Sequence, residues 1–270
     1  RPSTDPFQKY ESNYFSFIED NLITLINTTS SDSELVVLPE AELPYPINNS
    51  RFETFINKTG VIDKLVLGAW FLDEGALFNS IYVPNGYHLY KKKHLVPFGE
   101  YIPFISSLRG LIAFFDLPMS NVEFGPPNQD NLRLMNQYAA ATPICFDIAF
   151  PNTVRKMNKS SDFIINISND TWFGRSIGPY HHLSMARIRA IENNRWLIRS
   201  TNDGFSAIIS NKGTIVDKLE KGVKSILEGH ITPIKKRSFY NSYGYLISTS
   251  LSLIFFLSSL IYLLCTRLKK

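Results

Sequence analysis

The chain has 270 residues, 44% of them apolar and 19% charged, with a formal charge of +4. That length supports one sizeable core, and the composition is that of a globular domain with an apolar appendix. The basic excess is small and forms no long face interleaved with aromatics, which argues against nucleic acid and for an anionic membrane surface. Its two cysteines, in segments of unlike type, exclude a disulfide framework, and no Cys/His spacing asks for a metal or cofactor.

The chain shows no secretory signal and opens on Arg1-Pro2-Ser3-Thr4-Asp5-Pro6 without an initiator Met, which predicts a piece of a longer protein. Apolar residues from Tyr14 to Ile26 recur at helical spacing, so the reading is a helix over 13–26. Leu35–Leu38 reads as a β-branched strand, with Glu40 at its carboxyl end, where α/β sheets place ligands. Strands are expected over 64–71 and 77–83, then a turn at Pro84-Asn85-Gly86 and a further strand that delivers Lys92. The apolar stretch Tyr101–Met119 reads either as a lid or as an insertion packed on the core, and Pro126–Asn131 as a loop.

A short apolar run, Tyr138–Ile144, reads as a buried strand leading to Cys145, with a helix-like segment over 147–157 behind it. Strands over 163–167, 196–200 and 205–210 and a helix over 181–194 follow, and Asn211-Lys212-Gly213 turns a hairpin into 214–217. Alternating strands and helices define an α/β domain. His181 and His182 are adjacent, so they do not share a helix face, and a structural role is preferred to a metal site. Residues 246–265 carry no charge and are long enough to cross a bilayer as a helix, with Tyr240, Tyr243 and Tyr245 ahead of them as interfacial aromatics. The expected organisation is a catalytic domain over 1–234, a juxtamembrane linker over 235–245, a transmembrane helix over 246–265 and a basic tail over 266–270. Lys235, Lys236 and Arg237 before the span balance Arg267, Lys269 and Lys270 after it, so charge does not set orientation.

Alone, Glu40 reads first as a loop carboxylate, Lys92 as one of three surface lysines, and Cys145 as a small buried hydrophobe. One geometric distinction exists: in a strand, Lys92 faces opposite to Lys91 and Lys93. Together, however, Leu35-Val36-Val37-Leu38-Pro39-Glu40, Tyr90 to Glu100 and Ala141 to Ile148 resemble the Glu–Lys–Cys signature of the nitrilase superfamily. The resemblance is nearer to its apolipoprotein N-acyltransferase branch. There a lysine stands eight residues before the glutamate of His94-Leu95-Val96-Pro97-Phe98-Gly99-Glu100, which selects Lys92 and Glu100. Asp116-Leu117-Pro118-Met119-Ser120, Ile167 to Gly174, Ser176-Ile177-Gly178-Pro179, Met185-Ala186-Arg187 and Arg199-Ser200-Thr201-Asn202 continue the likeness in order.

The resemblance implies a nitrilase-like αββα sandwich followed by one C-terminal transmembrane helix. It implies an enzyme of the bacterial inner membrane whose catalytic domain lies on the extracytoplasmic side, joined to upstream membrane helices. The expected reaction moves a fatty acyl chain from a membrane phospholipid, through a thioester on Cys145, to the α-amino group of an S-diacylglyceryl cysteine in a lipoprotein. Glu40 would be the base, Lys92 the oxyanion-stabilising cation, Phe146 N–H a second donor and Glu100 the carboxylate that orients Lys92. Three positions depart from the branch: Asp147 where Glu is frequent, Phe146 where Tyr is frequent, and Tyr10, at the edge of the site, where Trp is frequent. The rivals are a membrane-tethered amidase with the same three residues and an inactive membrane-anchored binding domain.

Overall fold

The computed structural model describes residues 2, 4, 8–101, 122–135 and 137–267. The apolar stretch Tyr101–Met119 and the segment Asp116–Ser120 therefore fall, apart from Tyr101, outside the described residues.

Two sheets stand face to face. The first runs in chain order through β1 (Val36–Val37), β2 (Leu65–Asp73), β3 (Ala76–Val83) and β4 (His88–Lys91), with β1 parallel to β2 and the others antiparallel. The second comprises β5 (Leu132–Leu134), β6 (Tyr138–Ala141), β7 (Phe163–Asn169), β8 (Leu197–Asn202), β9 (Ala207–Ile209) and β10 (Ile215–Lys218). Its order is β10-β9-β8-β7-β6-β5, with β6, β7 and β8 mutually parallel.

Side-chain alternation along the strands builds the layers. On β2, Leu65, Leu67 and Ala69 join Ile18 and Leu22 of α1 (Phe15–Asn27) and Phe52, Phe55 and Ile56 of α2 (Ser50–Thr59). Val66, between them, points the other way and packs with Ile81, Val83, Phe163, Ile165 and Ile167 between the sheets. On β7 the intervening Ile164 packs instead with Val154 of α3 (Pro151–Met157) and Leu183, Ala186 and Ala190 of α4 (Gly178–Asn193). The result is helix, sheet, sheet, helix. It is the αββα sandwich expected from the sequence.

Boundaries shift for local reasons. The expected strand over 35–38 is hydrogen-bonded as a strand only at Val36–Val37. The helix-like stretch over 147–157 is two pieces, a 3-10 turn at Cys145–Ala149 and then α3. Pro151 forces the break: it restricts Phe150 to an extended conformation (ψ 92°) and itself opens the next helix without needing an N–H partner.

Beyond the second sheet, α5 (Phe239–Tyr243) is tied down by a fully buried Asn241, which donates to Asn193 Oδ1 at 2.8 Å and to the Arg155 carbonyl at 3.1 Å. Then α6 (Leu246–Arg267) leaves the sandwich with its span Leu246–Leu264 wholly uncovered. Nineteen helical residues reach roughly 28 Å, close to the hydrocarbon thickness of a bilayer.

Candidate active site

Three loops meet at the carboxyl ends of β1, β4 and β6. Glu40 lies in the turn after β1, two residues beyond Leu38 N–H, which still bonds β2 at Val66 O. Gly68 lets this turn lie flat on β2: a Cβ there would stand 2.4 Å from the Pro39 carbonyl and 2.5 Å from Glu40 Cα. Lys92 is the first residue past β4, pinned by Lys92 N–H to Asn79 O at 2.7 Å and by Gly125 N–H to Lys92 O at 2.8 Å. Alternation separates the three lysines as expected: Lys91 reaches outward to Asp73 and Lys93 to the Pro127 carbonyl, while Lys92 is 1% exposed.

The Lys92 ammonium sits between two carboxylates, 3.0 Å from Glu40 Oε1 and 2.9 Å from Glu100. Asn79 Nδ2 donates to the same two groups, at 2.7 Å to Glu40 Oε1 and 3.0 Å to Glu100 Oε1. The remaining oxygens are also held, Glu40 Oε2 by Asn169 N–H at 2.7 Å and Glu100 Oε2 by Val96 N–H at 2.8 Å. Burial disfavours the charge on Lys92, but Glu100 and then Glu40 outweigh it and hold the ammonium well above its ordinary pKa. Glu100 is thus brought against the Lys92 ammonium.

Cys145 opens the 3-10 turn with φ 44°, a left-handed conformation that non-glycine residues avoid. Its thiol is buried, and burial first, then the Glu40 charge, push its pKa up; Lys92 opposes them without prevailing. These influences favour the neutral thiol, so any attack by it would require a proton acceptor.

The shorter Asp147 carboxylate accepts from His94 N–H at 2.7 Å, from Ile144 N–H and Tyr90 Oη at 3.2 Å each, and from Lys93 N–H at 3.4 Å. It staples the loop after Lys92 to the loop before Cys145. Burial raises its pKa to about 6 against those donors and Lys92. Phe146 packs edge-on against Phe150, whose ring stacks on His94. Tyr10 lies beside Trp70 with Glu42 and Glu40 as charged neighbours, and burial holds its phenol protonated.

Sequence reading missed a second buried chain. His182 Nε2 contacts the Cys145 carbonyl at 3.0 Å and its Nδ1 faces Asp170 Oδ1 at 2.9 Å. Asp170 Oδ2 pairs with Arg199 at 2.8 Å. Burial raises the Asp170 pKa, but Arg199, His182 and Ser168 overcome it and keep the carboxyl well below the usual range. The signal available was that Asp170 and Arg199 fall within the recurring stretches, while His182 lies between two of them. Nothing in their spacing ties them to Cys145. His181, by contrast, is exposed, and no cluster of metal ligands occurs among the described residues.

A groove of about 680 Å³ runs along the free side of β1, lined by Leu22, Val37, Phe163, Ile208 and Ile231. Glu40, Lys92 and Cys145 do not line it, so it is not the cleft this site would use.

Sandwich and site together define a class: residues 63–237 match the carbon-nitrogen hydrolase family, and the chain belongs to it. Solved structures agree in fold. A CN-hydrolase superfamily protein from Xanthomonas campestris superposes with TM-score 0.58 at 17% identity, over 77% of this chain and 81% of that one. A branch 10 nitrilase-superfamily protein from Saccharomyces cerevisiae gives TM-score 0.56 at 20% identity, over 77% and 82%.

Within the family, the chain is similar to proteins named apolipoprotein N-acyltransferase. It is 38% identical over 229 residues to that of Pseudomonas paraeruginosa, covering 81% of this chain and 44% of the relative. It is 35% identical over 264 residues to that of Haemophilus influenzae, covering 92% and 50%. The chain thus spans about half the length of these relatives or less.

Proposed function

We propose that the chain is the catalytic part of a membrane-bound N-acyltransferase that works through a thioester on Cys145. The observation that carries this reading is the buried Lys92 ammonium clamped by Glu40 and Glu100 beside a neutral thiol. A nucleophile, a base and a fixed cation in one water-poor place suit acyl transfer.

As Cys145 Sγ attacks an ester carbonyl, Glu40 takes the thiol proton. Lys92 stays charged and, with Phe146 N–H, faces the oxyanion. Collapse expels the alcohol of a lysophospholipid, which receives the proton from Glu40, and leaves the acyl thioester. An incoming amine then attacks the thioester, loses a proton to Glu40, and departs as an amide while the thiol is restored.

The phospholipid donor and the α-amino group of a diacylated lipoprotein as acceptor rest on the names of the relatives and on the resemblance in sequence. The uncovered span Leu246–Leu264 supports a membrane location. We assign residues up to 234 to the catalytic domain and place it on the extracytoplasmic side of a bacterial inner membrane. The test is intact-mass spectrometry after incubation with a defined phospholipid, beside Cys145→Ala. A hydroxylamine-labile acyl adduct on the unsubstituted protein alone is expected. No adduct on a Cys145 that still alkylates would replace this reading with a tethered amidase, and an unreactive Cys145 with an inactive binding domain.

A further inference from the structure

We propose that His182 is a positioning residue that fixes the orientation of the Cys145–Phe146 peptide, and with it the Phe146 N–H donor. The inference rests on the thioester reading above. A carbonyl oxygen only accepts, so Nε2 of His182 is the donor in its 3.0 Å contact with Cys145 O. In a trans peptide the carbonyl and the following N–H point in opposite directions. Holding Cys145 O against His182 therefore aims Phe146 N–H the other way, out of the packed side and towards the acyl centre. A flip of that one peptide would remove the donor from the oxyanion, even with Glu40, Lys92 and Cys145 in place.

The hold is needed because Cys145 sits at φ 44°, a region that gives an L-residue no reason to stay. It is strong because every link is buried. His182 is 6% exposed, Asp170 0% and Arg199 1%. His182 Nδ1 is fixed by Asp170 Oδ1 at 2.9 Å, and Ser168 Oγ donates to the same oxygen at 2.8 Å. Arg199 ties Asp170 to Asn166, and Asn166 Nδ2 donates to the Pro143 carbonyl at 2.8 Å. The backbone is thus strapped on both sides of the turn into Cys145. A purely structural role would not single out chemistry that needs an oxyanion.

The test compares two reactions of Cys145 in the full chain. Acylation by p-nitrophenyl butyrate, read as a burst of p-nitrophenolate, passes through an oxyanion. Alkylation by iodoacetamide does not. His182→Leu, which has no donor, is expected to slow the burst 100-fold or more while alkylation stays within about threefold. His182→Gln, whose amide places an N–H near the position of Nε2, is expected to recover the burst to within about tenfold. Should Leu prevent folding, as a thermal melt would reveal, His182→Asn takes its place, polar but too short to reach the carbonyl. Acylation and alkylation falling together, Gln no better than Leu or Asn, or no loss at all would overturn the role. An unsubstituted protein that alkylates but is not acylated by the ester would overturn the thioester reading itself, and this role with it.

Discussion

In the proposed reaction Glu40 does two opposed things to Cys145. Its negative charge, after burial, pushes up the pKa of the Cys145 thiol, yet in the proposed reaction it is also the acceptor that the thiol needs. The proposed reaction therefore runs by proton transfer during attack, not from a resting thiolate and ammonium pair. Two outcomes follow. Alkylation of Cys145 by iodoacetamide should keep rising about tenfold per pH unit from pH 7 to 9.5, because the thiolate fraction climbs throughout; a plateau near neutrality would show a resting thiolate instead. Glu40→Gln should then move alkylation and acylation in opposite directions. Removing the charge lowers the thiol pKa and speeds alkylation severalfold, while loss of the base cuts acylation by at least 100-fold. Stopped-flow measurement of both on one preparation checks this, and parallel loss of both would count against Glu40 as base.

Elements carry these residues to one place, and how far the sequence foretold that differs from element to element. Strict alternation made β2, β3 and β7 legible, since Leu65, Leu67 and Ala69 face the helices while Val66 faces the other sheet. The same alternation singled out Lys92 from its neighbours. Three things were not legible. Pro151 breaks the segment after Cys145 into a 3-10 turn and a helix, a boundary that apolar spacing does not mark. That His181 and His182 lie on different faces followed from adjacency, but which of them is buried depends on the face that α4 packs. Asp147 gave no sign that its four donors would come from two separate stretches of backbone and a tyrosine. Close backbone approach is equally silent in sequence, and it yields a prediction. In Gly68→Ala the new methyl would meet Pro39 O, Glu40 Cα and Ala41 N at 2.4–2.6 Å, all backbone, so the Glu40 turn must lift off β2. A shift of that order is expected to cost acylation about 100-fold with Cys145 still open to iodoacetamide; unchanged acylation would mean that the turn tolerates displacement.

At the scale of the whole molecule, the sandwich is joined to its span through α5, whose buried Asn241 grips α3 and α4, so the domain and α5 form one packed unit. Stability of that unit should fall as pH climbs towards neutrality, and Glu42 is one buried group that makes it do so. Glu42 is 1% exposed, and its Oε1 has no hydrogen-bond partner among the described residues. Burial raises its pKa to about 7, against the attraction of Lys9 and a hydrogen bond from Thr4. Unfolded, it would titrate near 4.5. Between those two values the folded state holds the proton more tightly than the unfolded one, so folding free energy declines as pH climbs from about 4.5 to about 7 and levels off above. A shift of this size corresponds to roughly 3 kcal/mol across the window. Glu42→Gln keeps the shape and removes the titration. Its thermal midpoint should exceed that of the unsubstituted protein at pH 8 and match it at pH 4.5, with a flatter profile between. Equal slopes in the two proteins across pH 5–7 would show that Glu42 is ionised throughout, held so by Lys9.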